Sequence, residues 1–126
     1  LTQKNLSLIK LVAPTTTNER LKTISKFFSG WVYNLNFSGV TGSKSADLKK
    51  IEQMIKKIRD YTKLPICSGF GIKTPIDAKK VADTGCDGVV VGSSIVEFIE
   101  KNANDKKLTQ NVGNLIKTFI LELNKQ

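Results

Sequence analysis

The sequence predicts an α/β fold of four consecutive βα units whose strands lie parallel in one sheet. Three observations carry that expectation. Short apolar runs begin at Leu8, Trp31, Pro65 and Gly88, which puts their starts 23, 34 and 23 residues apart, and each interval has room for one helix. Between the runs, apolar residues recur at helical spacing rather than in alternation. Two of the runs, Pro65–Ser68 and Gly88–Val91, lead directly into glycines and then a helix-like segment, and glycine there lets backbone N–H groups approach an anion.

Taken in order, Leu8–Ala13 (LIKLVA) is the first strand, closed by Pro14 and three threonines. Asn18 is the expected cap of the first helix, where Leu21, Ile24 and Phe27/Phe28 recur until Ser29-Gly30 stops it. Trp31–Leu35 is the second strand by its aromatic and β-branched character. The loop after it, NFSGVTGSKSA, has two glycines and little periodicity, and loops of that length usually carry function. From Asp47, the positions Leu48, Ile51, Met54/Ile55 and Ile58 mark an amphipathic helix with a lysine-rich outer face.

Pro65–Ser68 is the third strand. After Gly69-Phe70-Gly71, the pair Thr74-Pro75 supplies a cap and a proline at the first helical position. Ala78, Val81 and Ala82 form that helix's buried face and Gly85 ends it. Gly88–Val91 is the fourth strand, apolar at every residue after the glycine, as for a strand covered on both faces. Ile95, Val96, Phe98 and Ile99 then run in helical register. A last amphipathic helix follows NANDKK, through Leu108, Val112, Leu115, Ile116, Phe119 and Leu123.

At 126 residues, 40% hydrophobic and 25% charged, the chain fits one domain, residues 1–126, with a packed core. No apolar run reaches the roughly 18 residues of a membrane span, and the start lacks a signal-peptide pattern, so no membrane and a cytoplasmic address are expected. Cys67 and Cys86 read as reduced core residues. The absence of His excludes a histidine base and the common histidine-containing zinc sites, and no metal is expected. The net charge of +9 invites a nucleic-acid partner. Only Arg20 and Arg59 are arginines among 20 basic residues, however, and the lysines spread along helical segments, so solvated helix faces account for them and no nucleic acid is expected.

Three segments decide the family: Phe37–Gly42 (FSGVTG), Gly69–Ile72 (GFGI) followed by Thr74-Pro75, and Gly88–Val96 (GVVVGSSIV). With Leu11–Pro14 and Trp31–Leu35 in the same order, the chain resembles the C-terminal half of the tryptophan synthase α subunit, from about Leu8 to Lys101 and more weakly beyond. The resemblance implies half of a TIM (β/α)8 barrel, the phosphate-binding half with strands 5–8. It also answers the strand count, because a closed barrel takes typically ~250 residues. It implies a lyase of tryptophan biosynthesis that cleaves indole-3-glycerol phosphate by a retro-aldol reaction into indole and glyceraldehyde 3-phosphate. No cofactor is implied in this chain; pyridoxal phosphate belongs to a partner β subunit.

Carried over by position, Gly42, Gly71, Gly92 and Ser93 match the family's phosphate-binding positions. Leu11, Tyr33 and Phe70 match pocket residues near the indole ring. Thr41 matches the loop threonine that helps orient a catalytic aspartate. Phe37 departs from the arginine common before this SGVTG-like segment.

The family's two catalytic acids lie in the other half of the barrel. In this chain ten of the eleven acidic residues fall on helices or their approaches, and Asp87 precedes the fourth strand, away from the strand C-terminal ends where barrel chemistry sits. The expectation is therefore a chain that binds a phosphorylated ligand and does not turn it over alone. Its partners would be a β subunit and either the missing N-terminal half-barrel or a second copy. Two alternatives stand beside this reading: a non-catalytic phosphate-binding half-barrel that self-associates, and a related phosphate-binding barrel of indole or histidine biosynthesis.

Overall fold

A computed structural model of the chain describes residues 4–36, 45–69 and 71–125. The order is β1 (Lys10–Val12), α1 (Asn18–Ser25), β2 (Val32–Leu35), α2 (Ser45–Arg59), β3 (Ile66–Gly69), α3 (Pro75–Ala82), β4 (Gly88–Val90), α4 (Ser93–Lys101) and α5 (Leu108–Leu123). The strands form one parallel sheet in the order β1-β2-β3-β4, as four successive βα units require. The register aligns Leu11, Tyr33, Cys67 and Gly88 in one row across the sheet, and Val12, Asn34, Ser68 and Val89 in the next.

Side chains alternate across a strand, so these two rows face opposite ways. Val12, Val32 and Ile66 are completely buried on one face, where they join Leu21 of α1, Ile51, Ile55 and Ile58 of α2, Ala78 and Val81 of α3, and Phe119 of α5 in a single core. The other face is uncovered: Leu11 is 56% exposed, and Tyr33, Leu35 and Cys67 are half-buried. This corrects the expectation for the fourth strand. Val89 and Val90 are both only half-buried, because β4 is an edge strand with one face open. Its continuous apolar run reflects the side chains it offers rather than cover already in place.

The covered layer holds a polar pair where apolar residues are usual. Asn34 donates from Nδ2 to the Ser68 hydroxyl (2.9 Å), both side chains buried. They are register partners on β2 and β3, so a slip of one residue, which turns the side chains of a strand to its other face, would break the pair and leave one partner buried without it.

Several element ends differ from the sequence reading, two of them for a reason the contacts make plain. The cap of α1 is Thr17, whose hydroxyl accepts from the Arg20 N–H at 3.2 Å, and Asn18 is the first helical residue. Adjacent residues with equal capping chemistry compete, and the extended backbone at Thr17 decides. Gly69 belongs to β3 rather than to the turn: its carbonyl accepts from the Asn36 N–H at 2.8 Å. A side chain there would put its Cβ 2.7 Å from Val90 Cβ and 2.8 Å from the Val90 carbonyl, so only glycine lets β3 and β4 close at this level. At the opposite strand ends, the Asp87 carboxylate accepts from the Ile66 N–H (2.8 Å) and from Arg59, whose guanidinium also reaches the Leu64 carbonyl (2.7 Å). That clasp ties the end of α2 to the starts of β3 and β4.

Candidate functional site

A parallel sheet collects its connecting turns at the C-terminal strand ends, where ligands of such folds bind. Here Tyr33 of β2, Gly71 and Ile72 after β3, Val90 of β4, and Gly92 and Ser93 at the start of α4 line one cavity of about 140 Å³. Four of the residues singled out in the sequence thus come together: Gly71, Gly92, Ser93 and Tyr33. Leu11 does not join them. It sits beside Tyr33 in the register, largely exposed on the open face. Thr41, Gly42, Phe70 and Phe37 lie outside the described residues.

Each lining residue has a local reason for its place. Gly71 has φ +71°, a left-handed conformation that strains any residue with a Cβ, and so turns the chain sharply after β3. Ile72 is buried at 2% exposure and anchors that turn in the core. Tyr33 packs its ring against Trp31, centroids 5.7 Å apart, and its hydroxyl comes within 3.1 Å of the point where a Gly69 Cβ would stand. Gly69 therefore makes room for the tyrosine as well as for β4. The GFG spelling marks both glycines, but only the register shows that the first serves packing and the second the turn.

The helix start at Ser93 supplies the polar element. Its cap is Gly92, with no side-chain hydrogen bond to the helix end and no acidic residue in the first turn. The Gly92 carbonyl accepts from Ile95 (2.9 Å) and Val96 (3.1 Å), while the Ser93 and Ser94 N–H groups have no acceptor among the described residues. A Cβ at Gly92 would meet nothing within 4 Å among those residues. The uncapped N–H groups and positive dipole end of α4 thus face open space beside the Gly71 turn, which is the arrangement that accepts an anion. Ser94 was not singled out in the sequence. Its hydroxyl is buried at this helix end without a partner among the described residues.

The start of α3 is different, and its cap is the Thr74 that the sequence offers. Thr74 and Asp77 form a reciprocal capping box: the Asp77 N–H donates to Thr74 Oγ1 (3.1 Å), and Asp77 Oδ2 accepts from the Thr74 N–H (3.2 Å) and hydroxyl (2.8 Å). Asp77 is 5% exposed, so α3 brings its own buried carboxylate to its positive end.

No carboxylate lines this cavity among the described residues. None of the eleven acidic residues lies between a strand's C-terminal end and the next helix. Both cysteines are free. Desolvation raises the Cys67 thiol, aided by the Asp87 charge, and desolvation likewise raises Cys86, so both stay protonated near neutral pH. Cys86 packs on the core, whereas Cys67 stands on the open face rather than inside. Among the described residues no group of three metal-binding side chains occurs, and no helix is long and apolar enough to cross a membrane.

The fold and the site define a parallel α/β protein of the barrel type, with an uncapped helix start at its strand C-terminal ends. The chain belongs to the tryptophan synthase alpha chain family, whose family model matches residues 1–121. It is 36% identical over 118 residues to the tryptophan synthase alpha chain of Petrotoga mobilis, covering 93% of this chain and 45% of that one. With the Ruthia magnifica protein of the same name the identity is 43% over 110 residues, covering 86% and 41%. The solved tryptophan synthase subunit alpha of Campylobacter jejuni superposes with a TM-score of 0.76 at 36% identity, over 90% of this chain and 45% of that one. The chain thus spans less than half the length of the relatives it matches, and its four βα units are half of a (β/α)8 barrel.

Proposed function

We propose that this chain is the C-terminal, phosphate-binding half of a tryptophan synthase alpha chain, residues 1–126 forming the units of barrel strands 5–8. The substrate of the whole barrel is then indole-3-glycerol phosphate, cleaved in a retro-aldol reaction of tryptophan biosynthesis. The observation that carries the reading is the uncapped start of α4 beside the Gly71 turn. In this reading the Ser93 and Ser94 N–H groups and the Gly92 and Gly71 backbone hold the phosphate, with Gly42 as a further contact. Tyr33, Phe70 and Leu11 border the indole end, and Thr41 supports the chemistry from its loop.

Retro-aldol cleavage needs a group to protonate the indole carbon and a base for the glycerol hydroxyl. No acid here follows a strand end, so both must come from the other four units, and this chain alone binds without turnover. Indole passes to a β subunit, the partner that carries pyridoxal phosphate, in a cytoplasmic complex.

The test is a titration with glycerol 3-phosphate followed through backbone amide resonances. Saturable shifts confined to Gly71, Gly92, Ser93, Ser94 and their neighbours are expected, with none from glycerol. Shifts scattered over the lysine-rich helix faces would overturn the site. Cleavage of indole-3-glycerol phosphate by the purified chain would overturn the division of labour.

A further inference from the structure

Three polar side chains stand in the layer between the sheet and its helices, which Val12, Val32 and Ile66 otherwise make apolar. Asn34 is 1% exposed, Asn36 4% and Ser68 0%. Asn34 and Asn36 are two residues apart on one extended segment, so they point to the same face, about 7 Å from each other. The Asn36 N–H donates to the Gly69 carbonyl at 2.8 Å, which carries the β2–β3 pairing up to its level. Among the described residues, one side-chain hydrogen bond is made within this group, from Asn34 Nδ2 to Ser68 Oγ at 2.9 Å. Asn34 Oδ1 and both amide atoms of Asn36 are buried there without a partner. A buried amide left unpaired costs more than a made hydrogen bond returns, so native cores pair such groups with protein or with ordered water.

We propose that this layer holds an internal water site, in which ordered water bridges Asn34 Oδ1 to the Asn36 amide. The chemistry selects the ligand. Two carbonyl oxygens accept, the Asn36 NH2 group donates, and none of them carries a formal charge. A metal cation would use the oxygens alone and an anion the NH2 group alone, whereas water donates and accepts. One water that donates to Asn34 Oδ1 and accepts from Asn36 Nδ2 spans the gap with bonds of about 2.8–3.0 Å, and a second at Asn36 Oδ1 completes the set. β2 and β3 are the inner strands of the sheet and each has both its neighbours, so the site does not depend on what pairs with β1 or β4. It is equally independent of the anion site, and its failure leaves the glycerol 3-phosphate titration standing. Its consequence is for register: the hydrated amides hold β2 against β3 where β3 runs into the Gly71 turn.

The test is a pair of water-selective NOE and ROE spectra of the isotope-labelled protein, read at the side-chain NH2 protons of Asn34 and Asn36. A long-lived bound water gives cross peaks of opposite sign in the two spectra, and chemical exchange gives the same sign. Opposite-sign peaks are expected at both NH2 groups. The Asn36 peak should persist in Ser68→Ala, which removes that hydroxyl as a source of relayed exchange. Asn36→Leu should abolish the Asn34 peak and lower the urea midpoint, because it strands Asn34 Oδ1. An Asn36 NH2 group with no opposite-sign water peak, or one whose peak vanishes in Ser68→Ala, would overturn the proposal. So would an Asn36→Leu midpoint above that of wild type, since removing an unpaired buried amide relieves a cost and removing a hydrated one adds one. If Asn36→Leu does not fold, the wild-type and Ser68→Ala spectra decide alone.

Discussion

The starts of α3 and α4 look alike in sequence and do opposite things. Both follow a short apolar strand and a glycine turn, and both are helix ends with positive dipoles. At α3 the chain spends Thr74 and Asp77 on its own N–H groups and buries the carboxylate. At α4 it places Gly92 and two serines, with no side-chain cap. The difference teaches that a helix N-terminus is a candidate anion site only where the chain has declined to fill it. The two turns then divide the work. The Gly71 turn, fixed by α3's cap and by buried Ile72, is a rigid wall, and α4 is the open electrostatic element facing it.

The largest effect should come from breaking the filled end. Asp77→Ala removes a buried carboxylate that accepts two hydrogen bonds, and leaves the Thr74 N–H unsatisfied. The expected cost is about 1–2 kcal/mol, read as a lower urea midpoint at unchanged slope. Affinity for glycerol 3-phosphate should stay within about twofold of wild type, a margin of roughly 0.4 kcal/mol. A parallel loss of affinity would show that the turns act as one unit rather than as wall and receptor.

Filling the open end should do the reverse. Ser93→Asp puts a carboxylate in the first turn of α4, where it interacts favourably with the dipole and stabilises by about 0.3–1 kcal/mol. It also competes with a bound phosphate by occupation and like charge. Affinity for glycerol 3-phosphate should fall at least tenfold, about 1.4 kcal/mol, while the thermal midpoint rises. Opposite movement of stability and affinity is the signature sought. If affinity is unchanged, the anion binds elsewhere.

Much of this contrast was legible in the sequence, and the remainder shows where pattern stops. Four parallel strands followed from run spacing, and the Thr74-Pro75 start of α3 from chemistry confined to adjacent residues. Gly71 and Gly92 were found because a turn and a helix start are local. What escaped depends on partners distant in sequence. Gly69 was read as turn because its need to be glycine comes from Val90, across the sheet. Asp77 was counted only among the acids on helices or their approaches, because its burial is tertiary. Asn34 drew no notice, since only the register brings Ser68 to it. The residue pattern of β4 alone reads as cover on both faces, and it misleads for a related reason: a run of valines states what can be buried, while the number of strands on either side decides what is. Thr41, Gly42 and Phe70 rest on the resemblance alone.

The smallest effect belongs to a third carboxylate, at the other end of the strands. Asp87 is held below the usual carboxylate range, chiefly by the Ile66 N–H and further by the hydrogen bond and charge of Arg59, against an opposing desolvation. A folded-state value below the unfolded one means that its stabilisation is fully present above the unfolded pKa, near 3.9, and disappears as pH falls through the folded value. Both partners are substantially exposed, with side chains 34% and 47% accessible, so solvent screening keeps the contribution modest. Asp87→Asn should therefore lower the urea midpoint slightly at pH 7 and flatten its decline between pH 5 and 3. Glycerol 3-phosphate affinity at pH 7 should be untouched, because the clasp and the α4 start lie at opposite ends of β4. An affinity change there would mean that the lower clasp sets the geometry of the open helix end, and that the α3–α4 contrast reaches through the whole strand.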